Sequence, residues 1–163
     1  MLTIFTIPKP FEGHIAIIQR NAMQSWLHLT PSCEVILCGN EAGVAEISKK
    51  FGVRHLDSIV CTNYGTPLLS SAFNQVQQIA RDRLICYVNA DIIFLSNLPK
   101  MLERIPFNKF LMCGKRWNLD VPSLIDFKSD DWKTQLAEDI RSHGVLHPYT
   151  QRLSAMPRLS IGI

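Results

Sequence analysis

The sequence has no long hydrophobic run, no cluster of basic residues and no paired cysteine motif. Because no apolar stretch approaches about 20 residues and no basic segment precedes the short apolar start, we predict no membrane span and no signal peptide. The net charge is only +3 and no stripe of Lys or Arg is present, so nucleic acid is not an expected partner. What remains is ordinary globular composition, with 47% apolar and 19% charged residues.

The cysteines are few and dispersed. There are five of them, without a C-x-x-C spacing, and Cys38, Cys86 and Cys113 fall in predicted strands. Cysteine at such positions behaves as a small hydrophobic residue. An odd number of dispersed cysteines is typical of a reducing compartment, so we expect a cytoplasmic location and no zinc site. The five histidines show no metal-ligand spacing either and are predicted to be structural or solvated.

Strand and helix patterns alternate along the chain. The predicted strands cover residues 2–7, 34–38, 53–56, 84–88 and 110–113. Apolar residues recur at steps of three and four between the strands, as in amphipathic helices, and Trp26 and Trp132 are expected in the core. This alternation predicts a three-layer α/β/α domain with a mostly parallel central sheet, covering residues 1–163.

Capping residues predict where several helices begin and end. Asn97 is expected to cap a helix that runs to Ile105, and Ser129 or Asp130 to cap the last one. Gly52 is expected to end the second helix in a left-handed conformation. The last helix is expected to end near residue 144.

A hydrophobic run with a carboxylate inside it is the most informative stretch. Residues 84–95 are apolar apart from Asn89 and Asp91 in the triplet Asn89-Ala90-Asp91. A carboxylate in such a run is costly to bury unless a partner, a metal or solvent compensates it. The simplest arrangement ends the strand at Val88 and places the triplet at its carboxyl end, where open α/β sheets bind ligands.

Further loops are predicted to lie at the same edge of the sheet. Thr6-Ile7-Pro8-Lys9 follows the first strand and Gly39-Asn40-Glu41 the second. The segment Tyr64 to Pro67 leads into a helix whose N-terminus would favour an anion. Together these loops supply a backbone wall, an acidic acceptor, helix amides and a carboxylate. That set suits a nucleotide diphosphate with Mn²⁺ or Mg²⁺, which take oxygen ligands.

The order of these motifs resembles the donor half of glycosyltransferases with the GT-A fold, especially family-2-like members. In that family a loop of small residues and a helix with an Asn precede a strand that carries Asp-x-Asp. Here Gly65-Thr66-Pro67, Asn74 and Asn89-Ala90-Asp91 stand in this order, and the match covers residues 2–113. Gly114-Lys115-Arg116-Trp117-Asn118-Leu119-Asp120 also resembles a segment of an uncharacterised glycosyltransferase-like group.

The resemblance implies a Rossmann-like nucleotide-diphospho-sugar transferase of the hexosyltransferase type, with a nucleotide sugar as donor and an unknown acceptor. It implies that the loop after the first strand and Glu41 contact the base. It also implies that Asn89 and Asp91 lie beside ribose and diphosphate, with Asp91 as the ligand of Mn²⁺ or Mg²⁺. The expected donor-binding residues are Thr6, Ile7, Pro8, Lys9, Gly39, Glu41, Thr66, Asn74, Asn89, Ala90, Arg116 and Trp117.

Two features depart from the family's pattern. Asn89 replaces the first Asp of the motif and brings no charge, so we expect a lower metal affinity. Residues 114–163 are few for an acceptor region with a catalytic base, so we expect a donor-binding half at 1–113 and an incomplete acceptor region after it. The candidates for a base are Asp120, Asp126, Asp130 and Asp131, and the catalytic residue stays unknown. Missing elements would leave a sheet edge or an apolar patch, which would favour a homo-oligomer.

Three candidate residues near the expected edge also have a structural alternative. Asp91 could cap the turn after its strand. Glu41 could be a first-turn helix residue that the helix dipole favours. Asn74 could hold a loop through side-chain hydrogen bonds, and we prefer this role for it over direct ligand contact.

The remaining candidates have alternatives of the same kind. Thr66 and Pro67 could begin a helix, because Pro is common at the first helical position. Arg116 and Trp117 could form a cation–π pair at the surface. Each alternative predicts a contact that a structure can test.

Three functions are compatible with these sequence features. The favoured one is sugar transfer, and the second is a truncated domain that binds a nucleotide or a partner without turnover. The third, a nucleotidyltransferase on a related sheet, is disfavoured because Ile7-Pro8-Lys9-Pro10 is not a glycine-rich, basic phosphate loop. Fold resemblance alone does not establish the reaction, because function depends on the site.

Overall fold

A computed structural model describes residues 2–95, 98–107, 110, 112 and 114–147 of the chain. Strands and helices alternate through most of this part, as predicted. In chain order the elements are β1 (Leu2–Thr6), α1 (Gly13–Leu27), β2 (Glu34–Cys38), α2 (Val44–Phe51), β3 (Arg54–Leu56), α3 (Leu69–Ile79), β4 (Leu84–Tyr87), α4 (Leu98–Leu102), β5 (Trp117–Asn118), α5 (Trp132–His143) and β6 (Val145–Leu146).

The first four strands form one parallel sheet in the order β3-β2-β1-β4. Strand β1 is central, and its Phe5 pairs with Ile36 of β2 on one side and with Tyr87 of β4 on the other. The chain moves outward from β1 to β2 and β3, and then crosses back over the sheet to place β4 on the other side of β1. The direction of the connections therefore reverses between β1 and β4.

Both faces of this sheet are covered by helices. Leu2 and Ile4 of β1 pack with buried residues of α1, α2 and α4 in one hydrophobic cluster. Phe5 points the opposite way and packs with Ala72 and Val76 of α3 in a second cluster. Strands buried on both faces are typical of parallel sheets in α/β proteins, and they explain the near-continuous apolar runs of the sequence. The predicted layered α/β architecture is confirmed, and the fold is Rossmann-like.

The buried residues expected from the helical stripes are also in place. Trp26 is fully buried in the first cluster, and Trp132 is 7% exposed in a third cluster with Phe127 and Leu136. Cys38 and Cys86 are buried in their strands, as predicted. Cys113 lies outside the described residues.

Two helix ends follow the predictions, and the cap of α5 departs from them. Gly52 follows α2 in the left-handed conformation with φ +64°, and α5 ends before Gly144. The cap of α5 was expected at Ser129 or Asp130, but Asp131 occupies that position without a side-chain cap bond. Its carboxylate instead accepts hydrogen bonds from the side chains of Ser129 and Gln135.

The prediction of a strand at 110–113 is wrong for its described residues, because Phe110 and Met112 lie outside any strand. Leu111 and Cys113 lie outside the described residues. The second sheet is instead a two-stranded antiparallel pair in which Trp117 of β5 pairs with Leu146 of β6. Such short strands depend on a partner that is distant in sequence, so a local apolar run does not locate them.

The fourth helix is shorter than predicted. It ends at Leu102 rather than at Ile105, and turns follow it. The cap expected at Asn97 and the segment 148–163 lie outside the described residues. The strand ends differ from prediction by one residue at β1, β3 and β4, which does not change the topology.

Candidate functional site

The loops after the parallel strands meet at one edge of the sheet, called here the carboxyl edge. It carries the loops that follow β1, β2, β3 and β4. Since the connections reverse between β1 and β4, the crevice at the carboxyl ends of these two strands is the switch point where α/β sheets bind ligands. Val88 donates its backbone N–H to the carbonyl of Phe5 at 3.0 Å, which holds the two strand ends together.

The loop after β1 is held in place by a buried glutamine of α1. Gln19 accepts a hydrogen bond from Lys9 N at 2.7 Å, and its own amide donates to Lys9 O at 2.9 Å. The Lys9 side chain is exposed, whereas Pro8 is buried and Ile7 is half-buried. Thr6 is fully buried and its hydroxyl has no hydrogen-bond partner in the described part of the chain. Lys9 is therefore the part of this loop most open to a ligand.

The loop after β2 lies beside the loop after β1. Gly39 has φ +98°, a conformation that favours glycine, and its backbone bonds to the side chain of His55 and to Leu56. Phe11 donates its backbone N–H to Ala42 O at 2.8 Å, which joins the two loops. His55 therefore has the structural role expected for the histidines.

Glu41 is exposed and precedes helix α2. The alternative that made it a first-turn helix residue is wrong, because α2 begins at Val44 and its first-turn acidic residue is Glu46. The backbone carbonyl of Glu41 accepts a hydrogen bond from Val44 N at 3.1 Å. Its carboxylate makes no ion pair within the described residues, so it is open to solvent and to a ligand at the carboxyl edge.

The segment after β4 carries the motif from the hydrophobic run. Asn89 and Asp91 are exposed, and Ala90 between them is 8% exposed. The turn is closed by the backbone, because Ile92 donates its N–H to Asn89 O at 3.1 Å. The alternative in which the Asp91 carboxylate caps this turn is therefore not supported by the hydrogen bonds of the described residues.

Helix α1 fixes the residues that follow this motif. The indole Nε1–H of Trp26 donates to Ile92 O at 2.8 Å, and Phe94 N donates to the hydroxyl of Ser25 at 3.0 Å. Both bonds are buried. The exposed Asp91 is thus attached to a rigid part of the molecule, although it lies in a loop.

The loop before α3 is organised by Thr62. Its hydroxyl accepts hydrogen bonds from Tyr64 N and Thr66 N, and its N–H donates to Thr66 O. Pro67 forms an isolated antiparallel bridge with Cys61, and α3 begins only at residue 69. The alternative that placed Pro67 at the first helical position is therefore wrong. Thr66 itself is exposed.

Asn74 lies on the exposed part of α3. Asn74 was expected to hold a loop through side-chain hydrogen bonds. Within the described residues, the loop before α3 is instead held by the hydroxyl of Ser71. Ser71 Oγ accepts a hydrogen bond from Val60 N at 3.2 Å. Contact between Asn74 and a ligand stays a prediction.

A cavity of about 200 Å³ lies beside Asp91. Arg116 and Trp117, both predicted site residues, line it together with Asp91, whereas the other predicted residues do not. Further lining residues come from α1, the segment after β4, residues 118–121 and α5. The cation–π alternative is wrong for Arg116 and Trp117, since the cation placed over a ring in the described part is Lys133 over Trp132, at 5.3 Å.

Two ionisable side chains near the carboxyl edge, those of Tyr87 and Cys38, have raised pKa values. Burial, and to a smaller extent the negative charge of Asp91, raises the pKa of Tyr87. Burial raises the pKa of Cys38 to about 12, so its thiol at the end of β2 is protonated at neutral pH.

Within the residues that the structure describes, no group of three or more His, Cys, Asp or Glu side chains is placed to hold a metal ion. Asp91 therefore offers one carboxylate, with the amide of Asn89 two residues away. This donor set does not fit a metal held by protein ligands alone. It fits Mg²⁺ or Mn²⁺ that completes its coordination with substrate phosphates and water.

Several residues that shape this region were not expected from the sequence. Gln19, Asn21 and Ser25 are buried polar residues of α1, and each bonds to a segment that follows a strand or borders the cavity. Three polar residues on the inner side of an otherwise apolar helical stripe are the signal that could have identified them.

Comparison of the chain with protein-family models, curated proteins and solved structures gives no match. In the described part of the chain, no helix combines the length and the apolar character that a membrane span requires.

Proposed function

We propose that this chain binds a nucleotide-diphosphate sugar at the carboxyl edge and acts as the donor-binding domain of a GT-A-like glycosyltransferase. One observation carries the proposal. The parallel order β3-β2-β1-β4 creates a switch point between β1 and β4, and the exposed Asn89 and Asp91 follow β4 directly at that point. Ligand sites of open α/β sheets lie in this position.

The exposed side chains of the carboxyl edge suggest how the nucleotide would lie. Lys9 and Glu41 come from the joined loops after β1 and β2 and would contact the nucleoside. Asn89 and Asp91 would face the ribose and the diphosphate. Arg116 and Trp117 are not needed for this arrangement, because they line a cavity whose lining includes no residue of the loops after β1 and β2.

Asp91 is the residue proposed to hold Mn²⁺ or Mg²⁺. A divalent cation there would offset the charge that develops on the departing diphosphate. Because Asp91 is a lone carboxylate, we expect the metal to bind together with the nucleotide and not before it. Asn89 would orient the same phosphates through its amide without adding charge.

The second candidate function is nucleotide binding without sugar transfer. The observation that favours it is the single carboxylate at the motif, since no group of three or more His, Cys, Asp or Glu side chains is placed to hold a metal in the described residues. No base for an acceptor is assigned to this site. The two candidates share the binding step and differ in turnover.

Thermal unfolding with UDP, GDP, CDP and ADP, each with and without Mn²⁺, tests the binding step. A nucleotide that binds the native state raises the melting temperature by mass action, with about 2.7 kcal/mol gained at 100 times its Kd. We expect one base to be preferred, and Mn²⁺ to enlarge the shift. Asp91→Ala should remove the Mn²⁺ effect, whereas Asp139→Ala, on the exposed face of α5, should retain it.

A second variant tests the identity of the motif. Asn89→Asp would restore a second carboxylate, so the dependence on Mn²⁺ should become steeper. If no nucleotide changes the melting temperature of the unmodified protein, the proposed site is rejected. If a nucleotide binds but the matching nucleotide sugars are neither hydrolysed nor transferred, the non-catalytic function is the correct one.

A further inference from the structure

The cavity beside Asp91 has a chemical character of its own. Most of its wall is aliphatic, with side chains from four different parts of the chain: Ile18, Ile93, Leu95, Val121, Leu136 and Ile140. Exposed polar residues, Asp91, Asn118 and Asp120, stand among the lining residues and connect it with solvent. Binding pockets for small molecules combine such an apolar wall with a few polar groups.

The size of the cavity limits its occupant. At about 200 Å³ it exceeds the roughly 150 Å³ of an engineered apolar cavity that accommodates benzene. It is smaller than the 300 Å³ or more that is typical of sites for drug-sized ligands. The occupant's buried part is therefore an aromatic ring or a short alkyl chain.

Arg116 is a basic residue in the lining of the cavity. Its Nε is buried and has no hydrogen-bond partner within the described residues. Asp91 and Asp120 line the same cavity, yet neither forms an ion pair with Arg116. The guanidinium of Arg116 therefore has no carboxylate partner in the described part of the chain. Guanidinium groups match carboxylate and phosphate oxygens in geometry.

We propose that this cavity is a binding site for a small amphipathic anion, whose apolar body contacts the aliphatic wall and whose carboxylate or phosphate accepts hydrogen bonds from Arg116. This ligand differs from the nucleotide proposed for the carboxyl edge. The two sites share Asp91 and otherwise use different residues.

The acidic residues at the cavity oppose an anion only weakly. Asp120 is 84% exposed in its side chain, and its carboxylate lies 3.8 Å from Nε2 of His14. Asp91 is exposed as well. Solvent screens charges at such positions, and Arg116 is less exposed than either aspartate. Removal of the Asp120 charge should therefore strengthen the binding of an anion and weaken the binding of a cation.

The cavity wall is formed before any ligand binds. Asn21 of α1 donates to Ser123 O at 2.9 Å and accepts from Ile125 N at 3.0 Å. These bonds attach the segment that follows Val121 to α1. The backbone N–H of His147 donates to Arg116 O at 3.0 Å and holds the start of residues 116–121, which line the cavity. A preformed site loses little conformational freedom on binding.

Four probes of equal chain length test the proposal: hexanoate, hexyl phosphate, 1-hexanol and hexylamine. Each is titrated into the full chain without nucleotide, and binding is followed by amide chemical shifts and by tryptophan fluorescence, to which Trp117 at the cavity contributes. We expect hexanoate or hexyl phosphate to bind at least about tenfold more tightly than the alcohol and the amine. The comparison of the two anions distinguishes a carboxylate ligand from a phosphate ligand.

Three variants make the test specific. Arg116→Gln should abolish the preference for anions, Asp120→Asn should tighten hexanoate binding, and Ile140→Phe should fill the cavity and reduce the binding of every probe. Amide spectra establish that each variant is folded. The proposal would be overturned if neither anion bound more tightly than hexanol, or if hexylamine bound most tightly. It would also be overturned if the affinity for the preferred anion were unchanged in both Arg116→Gln and Ile140→Phe. Because no nucleotide is present, the result is independent of the nucleotide titrations.

Discussion

Glu34 is a carboxylate that lies almost entirely inside the protein, at the start of β2. It accepts hydrogen bonds from the hydroxyl of Thr3 and the backbone N–H of Arg81, both at 2.8 Å. The guanidinium groups of Arg54 and Arg81 lie 3.3 and 3.5 Å from its Oε1. Arg54 also donates to Ile79 O at 2.6 Å. One buried charge thus connects β1, β3 and the end of α3.

The contacts of Glu34 predict how its pKa behaves. Burial alone would raise the pKa, but the hydrogen bonds from Arg81 N–H, Thr3 and Arg54, with the positive charge of Arg81, outweigh burial. The pKa of Glu34 therefore lies below its ordinary value of 4.5 in the folded protein. A lowered folded-state pKa adds stability above the unfolded-state pKa, and this stability is lost as the pH falls through the folded-state pKa.

We expect Glu34→Gln to lower the free energy of unfolding by about 2 kcal/mol at neutral pH, because charge-assisted hydrogen bonds are lost. Urea unfolding of both proteins at several pH values measures the difference. It should be constant from about pH 5.5 to 7 and shrink below about 4.5 as Glu34 becomes protonated. Glu138→Gln on exposed α5 is the matched control and should change stability by less than about 0.5 kcal/mol. A difference that does not vary with pH would contradict the ionised state of Glu34.

At the scale of elements, α1 organises the molecule more than any other helix described. Its apolar side packs against the sheet, and its buried polar residues bond to three separate segments outside it. Gln19 holds the loop after β1, Ser25 and Trp26 hold the segment after β4, and Asn21 holds residues 123–125. The carboxyl edge and the cavity therefore share one rigid support.

Asn21→Ala tests this role. The variant leaves Ile125 N and Ser123 O without their partners, so we expect a loss of about 1–3 kcal/mol in unfolding free energy. Hydrogen exchange of the Ile125 amide should accelerate more than that of amides in β1, because the segment is released locally. Gln24→Ala, on the same helix and without such a bond, provides the control. Equal acceleration at both places would indicate global destabilisation and contradict a local role.

The sequence predicts the elements of the parallel sheet well, because each strand is a local apolar run. Residues 34–38 were predicted without error, and β1 and β4 to within one residue. Trp117 and Leu146 pair only because distant parts of the chain meet, and no local pattern marks them. The same holds for the cavity, whose lining extends from Ile18 to Ile140. The position of Asp91 after β4 could be predicted from the sequence. That Asp91 and Arg116 line the same cavity could not, because it depends on tertiary structure.

At the scale of the whole molecule, the sheet separates two hydrophobic clusters that share no buried side chain. Helices α1, α2 and α4 cover one face, and α3 covers the other. On the second face Phe5 contacts Phe73 and Tyr87, with ring centroids 4.8 and 5.4 Å away. Helix α3 is also the crossover that places β4 beside β1 and so creates the switch point. The stability of the α3 face therefore determines whether the proposed nucleotide site exists.

Two neighbouring residues of β1 measure the two faces separately. Ile4 and Phe5 are both fully buried and point to opposite faces of the sheet. We expect Ile4→Ala to lower the unfolding free energy by about 2–5 kcal/mol and Phe5→Ala by about 3–5 kcal/mol, because each leaves a cavity in a packed cluster. Urea unfolding measures both, and Leu124→Ala, at a 54% exposed position, should cost less than about 0.5 kcal/mol. A large loss for Ile4→Ala with a negligible loss for Phe5→Ala would mean that α3 does not pack on the sheet in solution. The crevice between β1 and β4 would then lack the support that nucleotide binding requires.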